Sequence, residues 1–223
     1  MSYVPIPLPD RLRMSEEQTE TVSLNYLNYM KKRHSVRDFS QELISDTVLS
    51  NAVAVAASAP SGANQQPWHF VVIKDPDMKA KIRKEAEHEE QKFYSGGGGD
   101  EWISALEPIG TGAKKKHLTD APALIVVFAQ RYGLAENGSR YKHYYVNESV
   151  GIAVGFLISA LHHSGLVCLT HTPNPMKFLN LLCKRPNNEK PVMILPVGYP
   201  NEIAEVPQAA KVKKPTSEVL SIY

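Results

Sequence analysis

The sequence predicts an α+β fold in a single domain spanning residues 1–223, and three observations carry that expectation. Apolar runs rich in β-branched residues read as strands at 69–73, 123–128, 166–170 and 193–200. Helical runs of differing polarity separate them. Neither an internal repeat nor an interdomain linker divides the chain.

The elements follow in order. Residues 1–14 form an arm: Pro5, Pro7 and Pro9 favour extended backbone, which lies most readily on a partner subunit. The arm lacks the basic and apolar regions of a signal peptide. Ser15 caps a first helix, with Glu16 and Glu17 suited to its dipole. Val22, Leu24, Tyr26, Leu27 and Met30 give it a mixed apolar face. Arg33-His34-Ser35-Val36-Arg37 follows. Two guanidinium forks and a hydroxyl at this spacing suit a phosphate, and a solvated basic helix end is the competing reading. Ser45 caps a second helix over 46–57. The loop 59–68 then has Pro60 and Pro67 as brackets, and Gly62 and Ala63 leave backbone open to a flat ring. A plain helix-to-strand connection is the alternative there.

After strand 69–73, Asp75-Pro76-Asp77 starts a charged helix over 78–94 that should mostly face water. Residues 95–100, with four consecutive glycines, are expected to be the most flexible stretch. Together with Trp102, Ile103, Leu106, Ile109 and the basic run Lys114-Lys115-Lys116, they read as a lid over about 88–117 or as a surface insertion. Strand 123–128 is apolar throughout and should be covered on both faces. Residues 131–140 are turn-like. Asn147 is the candidate cap of a helix that is apolar on nearly every side and ends at Gly165, so it should be buried in the core and at a subunit interface. Strand 166–170 breaks at His171-Thr172-Pro173, a short helix covers 176–183, and strand 193–200 precedes a docking arm, 201–223.

Composition excludes several classes. A net charge of +2 gives no bias toward nucleic acid or membrane. Cys168 and Cys183 are too few for a disulfide framework or a thiolate metal site and fit a soluble protein of a reducing cytosol. The HExxH, P-loop and GxGxxG patterns are absent, and His162-His163 adjoin on a helix and point different ways, so no metal is expected. The remaining polar candidates are the clamp at Arg33, the loop at Ser61 and the turn Thr170-His171-Thr172. They could hold a phosphate, a flat ring and a ring edge, the outline of an FMN site.

At these residues the chain resembles the nitroreductase-like flavoproteins, and within them the iodotyrosine deiodinases. Arg33-His34-Ser35-Val36-Arg37, Ala59-Pro60-Ser61-Gly62-Ala63, Gln66-Pro67-Trp68, Thr170-His171-Thr172-Pro173 and Leu195-Pro196-Val197-Gly198-Tyr199-Pro200 carry the likeness. The most specific part is the order and spacing of Glu90, Tyr94 and Lys115 in the lid. The resemblance covers the chain from about Leu24 onward. It implies a three-layer sandwich with a mostly antiparallel sheet, an intertwined homodimer and FMN sites at the interface. It further implies that Arg33, His34, Ser35 and Arg37 bind the FMN phosphate and ring edge. Pro60, Ser61 and Gly62 would lie along the flavin, and Thr170, His171 and Thr172 would border it. The Thr172 hydroxyl, the implied catalytic group, would reach N5. Ala63 N–H would meet the substrate phenolate, and Glu90, Tyr94 and Lys115 would grip the amino-acid end. Where the family carries a phosphate-binding arginine near the C-terminus, this chain offers Lys213, or Lys211 in a gap-free register. Lysine keeps the charge and loses the bidentate fork.

The implied activity is FMN-dependent reductive dehalogenation of halotyrosines in one-electron steps, fed by NAD(P)H or a partner reductase. Two other readings keep part of the site. A general NAD(P)H-dependent nitroreductase or quinone reductase would not need Lys115. A non-catalytic sensor of FMN or tyrosine derivatives would keep the lid residues without turnover.

Overall fold

Side-chain alternation along a single strand builds both cores of the main unit. The structure, a computed structural model, describes residues 3–223; Met1 and Ser2 of the expected arm lie outside the described residues. The chain divides after Arg33 into two units. The first contains α1 (Glu16–Met30), opened by a capping box in which Ser15 and Gln18 exchange side-chain and backbone hydrogen bonds. The apolar residues of α1 are not buried, and Val22, Leu24, Tyr26 and Leu27 are all about half exposed.

The second unit is built on a four-stranded antiparallel sheet. β1 (Trp68–Ile73), β2 (Ala123–Gln130), β5 (Val167–Cys168) and β6 (Glu189–Gly198) lie in the order β1-β2-β6-β5. Successive residues of a strand point to opposite faces. Ala123, Ile125 and Val127 therefore join Leu195 and Val197 on one face, packed with α2 (Asp46–Ala57) and α6 (Val146–His163). Leu124, Val126 and Phe128 join Ile194 on the other face. That second core takes Ile82 and Ala86 of α3 (Pro76–Lys92), Leu118 of α5 (His117–Asp120) and Leu179 of α7 (Phe178–Leu182). The result is helix layer, sheet, helix layer, the three-layer α+β arrangement.

Several elements depart from the sequence expectation, each for a local reason. β6 starts at Glu189 and includes Pro191, which lies beside a bulge between Val127 and Phe128 where the ladder is already interrupted. β5 is only two residues long, after which His171 alone re-pairs with Ile194 through two backbone hydrogen bonds of 2.8 and 2.9 Å. Residues expected as a turn form a hairpin, β3 (Tyr132–Leu134) with β4 (Arg140–Lys142). The Tyr141 ring lies over Gly133, where a Cβ would fall 2.0 Å from it and make that half-exposed side chain move aside. Asn147 is not the cap of α6. Tyr145 holds that position in the left-handed region (φ 50°), and its carbonyl accepts the Ser149 N–H. Only one side of α6 is buried in this chain, through Val150, Ala153, Val154, Leu157 and Leu161; Gly151, Ile152, Gly155 and Phe156 face outward.

The glycine run also has a definite shape. A π-helical turn (Phe93–Gly97) leads into α4 (Asp100–Leu106), with Gly96 at φ +113° and Gly99 at φ +71°. The Phe93 ring lies over Gly98 and packs edge-on against Trp102, 5.0 Å between centroids. The charged helix α3 is less solvated than its composition suggests. Lys79 is buried, and its ammonium donates to the Thr119 and Ala121 carbonyls at 3.2 and 2.7 Å. The chain ends in the short helices α8 (Gln208–Lys211) and α9 (Thr216–Val219). Among the described residues no helix is long and apolar enough to cross a membrane.

Candidate functional site

Positions 79, 83, 87, 90 and 94 fall on one side of a helix and its continuing turn. Here that side is turned toward α5 and the residues before it. Glu90, on the last turns of α3, reaches Lys115: Oε2 lies 3.1 Å from Nζ. Lys115 is almost fully buried, and its ammonium also donates to Thr111 Oγ1 at 3.2 Å. It sits 5.7 Å from the centre of the Tyr94 ring, in cation–π range. A glutamate, a tyrosine and a lysine from two separate segments thus converge on one point.

That point adjoins the turn after β5. His171 Nδ1 lies 4.0 Å from Glu90 Oε1. The ring is buried, and its pKa is lowered to about 3, first by burial and then by His117, Lys115 and Arg37, so at neutral pH this is a contact and not an ion pair. His117 packs against it edge-on at 5.5 Å, with its own pKa lowered to about 4, chiefly by burial and by Lys115. The Nε2 atoms of both rings are buried without a hydrogen-bond partner. Thr170 and Thr172, on either side of His171, are exposed.

Residues 35–37 lie alongside the same edge. Ser35 bridges Cys168 in parallel register, and Val36 N–H donates to the Cys168 carbonyl at 3.3 Å. Arg37 is close enough to Tyr94, His117 and His171 to feel or exert their fields. Burial lowers its pKa, while Asp38 and Tyr94 oppose that shift. Arg33, the last residue of the first unit, is half-buried and donates its N–H to Met30 O. His34 is half-buried at the start of the second.

The loop 60–66 is held elsewhere. Ala63 (φ 50°), Asn64 (φ 52°) and Gln66 (φ 47°) occupy the left-handed region, an unfavourable conformation for residues with a Cβ. Side chains pin it there. Ser61 Oγ accepts from Gln66 N at 2.9 Å, and Gln65 donates to the Lys142 carbonyl and accepts from Tyr144 N, both at 2.9 Å. The buried Ser149 hydroxyl accepts from Gly62 N at 3.3 Å. Gly62 cannot carry a side chain, because its Cβ would stand 2.4 Å from Tyr144 O. These bonds tie the loop to the α2/α6 layer. Among the described residues no hydrogen bond, ion pair or ring contact joins it to Glu90, Tyr94 or Lys115. Lys213 is exposed and donates to the Ala210 carbonyl at 2.8 Å, and Lys211 is exposed on α8.

Three supporting residues, Glu87, His117 and Gln65, are not singled out by the sequence; Glu87 alone has a pattern that could have found it, its helical spacing from Glu90.

Known proteins resemble this chain in sequence and in fold. The nitroreductase family model matches residues 30–199. A protein named iodotyrosine deiodinase from Haliscomenobacter hydrossis is 48% identical over 207 residues, 93% of this chain and 92% of its own length. Another of that name from Nematostella vectensis is 40% identical over 221 residues, 99% of this chain and 83% of its own. The crystal structure of an oxidized iodotyrosine deiodinase bound to FMN and 3-iodo-L-tyrosine matches with a TM-score of 0.72 at 33% identity, covering 88% of this chain and 97% of that one. A BluB-like flavoprotein from Clostridium difficile 630 matches with a TM-score of 0.67 at 20% identity and so shares the fold. The sheet order, the two helix layers and the extent of these matches lead to one assignment: the chain belongs to the nitroreductase family.

Proposed function

We propose that this protein is an FMN-dependent oxidoreductase that reductively dehalogenates halotyrosines, iodotyrosine among them. The observation that carries the reading is the convergence of Glu90, Tyr94 and Lys115 on one buried point. A zwitterion leaving water needs both charges paired. Glu90 suits the ammonium, and Lys115 with the Tyr94 hydroxyl suits the carboxylate. A general nitroreductase has no use for this trio.

The residues present suit FMN. Arg37 is a partly desolvated cation, Ser35 adds a hydroxyl beside it, and Thr170 and Thr172 present hydroxyls along the adjoining turn. Arg33 and His34 precede them in the chain, and Lys213 or Lys211 is the proposed additional phosphate contact. When bound, reduced FMN would supply the two electrons that, together with one proton, replace the carbon–halogen bond by carbon–hydrogen as halide leaves. Thr172 is proposed to offer its hydroxyl to the flavin N5. Pro60, Ser61 and Gly62 would line the ring, and Ala63 would offer its N–H to the phenolate. Closure of the segment around Glu90, Tyr94 and Lys115 would exclude water and make catalysis depend on the amino-acid end. The electron donor, NAD(P)H or a reductase, lies outside the features of this chain.

The loop at Ala63 and the grip at Lys115 belong to opposite layers, and a second copy of the chain is proposed to bring them together. Supporting this, α6 leaves Gly151, Ile152, Gly155 and Phe156 uncovered, and the space over both glycines is open. Interior helix glycines are unfavourable unless another backbone packs close. The apolar residues of both arms, among them Ile6, Leu8, Leu220 and Ile222, are likewise exposed in the single chain.

Anaerobic incubation of the reduced, flavin-loaded protein with 3-iodotyrosine should release iodide. Lys115→Ala should raise the KM for iodotyrosine by about tenfold or more, the loss of a charge-assisted contact. Its effect on 2-iodophenol, which has no charged end to hold, should be much smaller. Failure of the flavin-loaded wild type to release iodide from iodotyrosine would overturn the reading. Fast NAD(P)H oxidation with nitroaromatics, indifferent to Lys115→Ala, would favour the general reductase instead.

A further inference from the structure

The two arms of the grip come from distant parts of the chain, and one carboxylate joins their backbones. Glu90 and Tyr94 ride on α3 and the turn that continues it. Lys115 arrives 28 residues after Glu87. Glu87 sits one helical turn before Glu90, and its Oε1 accepts the backbone N–H of Lys115 at 2.7 Å. The same oxygen accepts Arg83 Nε at 2.8 Å. Arg83 Nη1 continues across to Thr119 Oγ1 at 2.9 Å. Thr119 belongs to α5, whose first turn is closed by Leu118 N–H donating to the Lys115 carbonyl at 3.0 Å.

Lys115 is therefore held on both sides of its own Cα, by Glu87 at its N–H and by α5 at its carbonyl. This matters because lysine has four rotatable bonds and a mobile ammonium. A side chain of that length reaches Glu90 at 3.1 Å reproducibly only from a fixed backbone. Glu87 is suited to the task electrostatically. Burial alone would raise its pKa, but the bonds from Arg83 and the Lys115 N–H, with Lys114 nearby, hold it below the usual carboxylate range.

We propose that Glu87, braced by Arg83, is the positioning residue of the amino-acid grip: it sets the separation of Lys115 from Glu90 and thereby the preference for a zwitterionic substrate over a bare phenol. The inference rests on the dehalogenase reading above. Glu87 touches neither substrate nor cofactor and acts only through the Lys115 backbone.

The test compares iodide release from 3-iodotyrosine and from 2-iodophenol by the reduced, flavin-loaded protein. Glu87→Ala should raise the KM for iodotyrosine about tenfold with kcat at saturation changed by less than about twofold. The ratio of kcat/KM for iodotyrosine to that for iodophenol should fall by the same factor. Glu87→Gln, which keeps a carbonyl acceptor without the charge, should recover part of the loss, and Arg83→Met should show a smaller loss of the same kind. Equal losses on both substrates, or lower flavin content in Glu87→Ala and Glu87→Gln alike, would mark a merely structural carboxylate and overturn the proposal. An unchanged iodotyrosine KM in both Glu87 variants, with the wild type active, would overturn it while leaving the dehalogenase reading intact. Absence of iodide from the wild type would remove the reading and this inference together.

Discussion

His117 and His171 lie against the Glu90–Lys115 pair with both rings buried and both held neutral. Their pKa values, lowered from 6.5 to about 4 and about 3, have a definite consequence for stability. The folded protein prefers each ring unprotonated. The contribution of these rings is thus complete above about pH 6.5 and is lost as the pH falls toward the folded-state values. Within that window the unfolded chain binds more protons, at most one per histidine. Each costs up to about 1.4 kcal/mol of stability per pH unit. Urea unfolding between pH 7 and pH 4.5 should show this slope, and His117→Phe should flatten it by about one proton. An identical slope in the variant would mean that carboxylates alone govern the acid limb. At this scale the sequence was partly legible. Glu90 and Tyr94 stand one turn apart, but a lone glutamate in an acidic helix reads as solvated, so they were singled out through the family likeness. Lys115 was identifiable only through the family likeness, because a lysine within a basic run looks solvated. His117 gave no sign at all, since its burial depends on α3 and the turn after β5 packing over it.

Elements were legible wherever their determinants are local. The helix at 46–57 appears at its expected bounds because Ser45 caps it and apolar residues recur along it. β2 was legible from its unbroken apolar run, which only a strand covered on both faces can use. The shape of the glycine segment was not, because composition reports how many conformations are allowed and not which one Phe93 and Trp102 select. The same holds for the start of α6, where left-handed Tyr145 replaces the capping asparagine. The loop after α2 shows a glycine whose nearest constraint lies within the chain itself. Gly62 was expected to make room for a ring, yet in this chain the close neighbour is the Tyr144 carbonyl. Gly62→Ala should therefore displace the loop against the segment around Tyr144 and destabilise the protein by about 1–3 kcal/mol, the usual range for overpacking. It should also weaken flavin retention. Thermal unfolding with and without added FMN would measure both, and an unshifted midpoint would show that the Tyr144 segment yields at no cost.

On the scale of the whole molecule, patterning gives the strands and helices and the family likeness gives the antiparallel sheet between two helix layers, but neither gives the division of the site between layers. No single-chain pattern reveals that Ala63 and Lys115 are built on opposite faces of one sheet. The apolar helix was expected to be buried in the core and at a subunit interface, and the single chain buries only its core side. If a second copy covers that side, Phe156→Asp should place a charge in the contact without disturbing the core, because Phe156 is already 39% exposed in the single chain. Analytical ultracentrifugation should then report a dimer for the wild type and a monomer for the variant, with loss of bound flavin in the monomer. A wild-type monomer at working concentration would remove the proposed sharing of the site.

The pairing of Glu90 with Lys115 inside a largely dry recess bears on which guests the proposed grip would accept. A tyramine-like amine could displace the lysine from Glu90 but would strand it without a counter-ion, and a phenylpropionate would strand the glutamate. Only a guest carrying both signs on one carbon lets the two hosts part while neither is left alone. On the proposed reading, chemical relatives that keep the halogenated ring but lack one of the two end groups would be turned away before the ring chemistry begins.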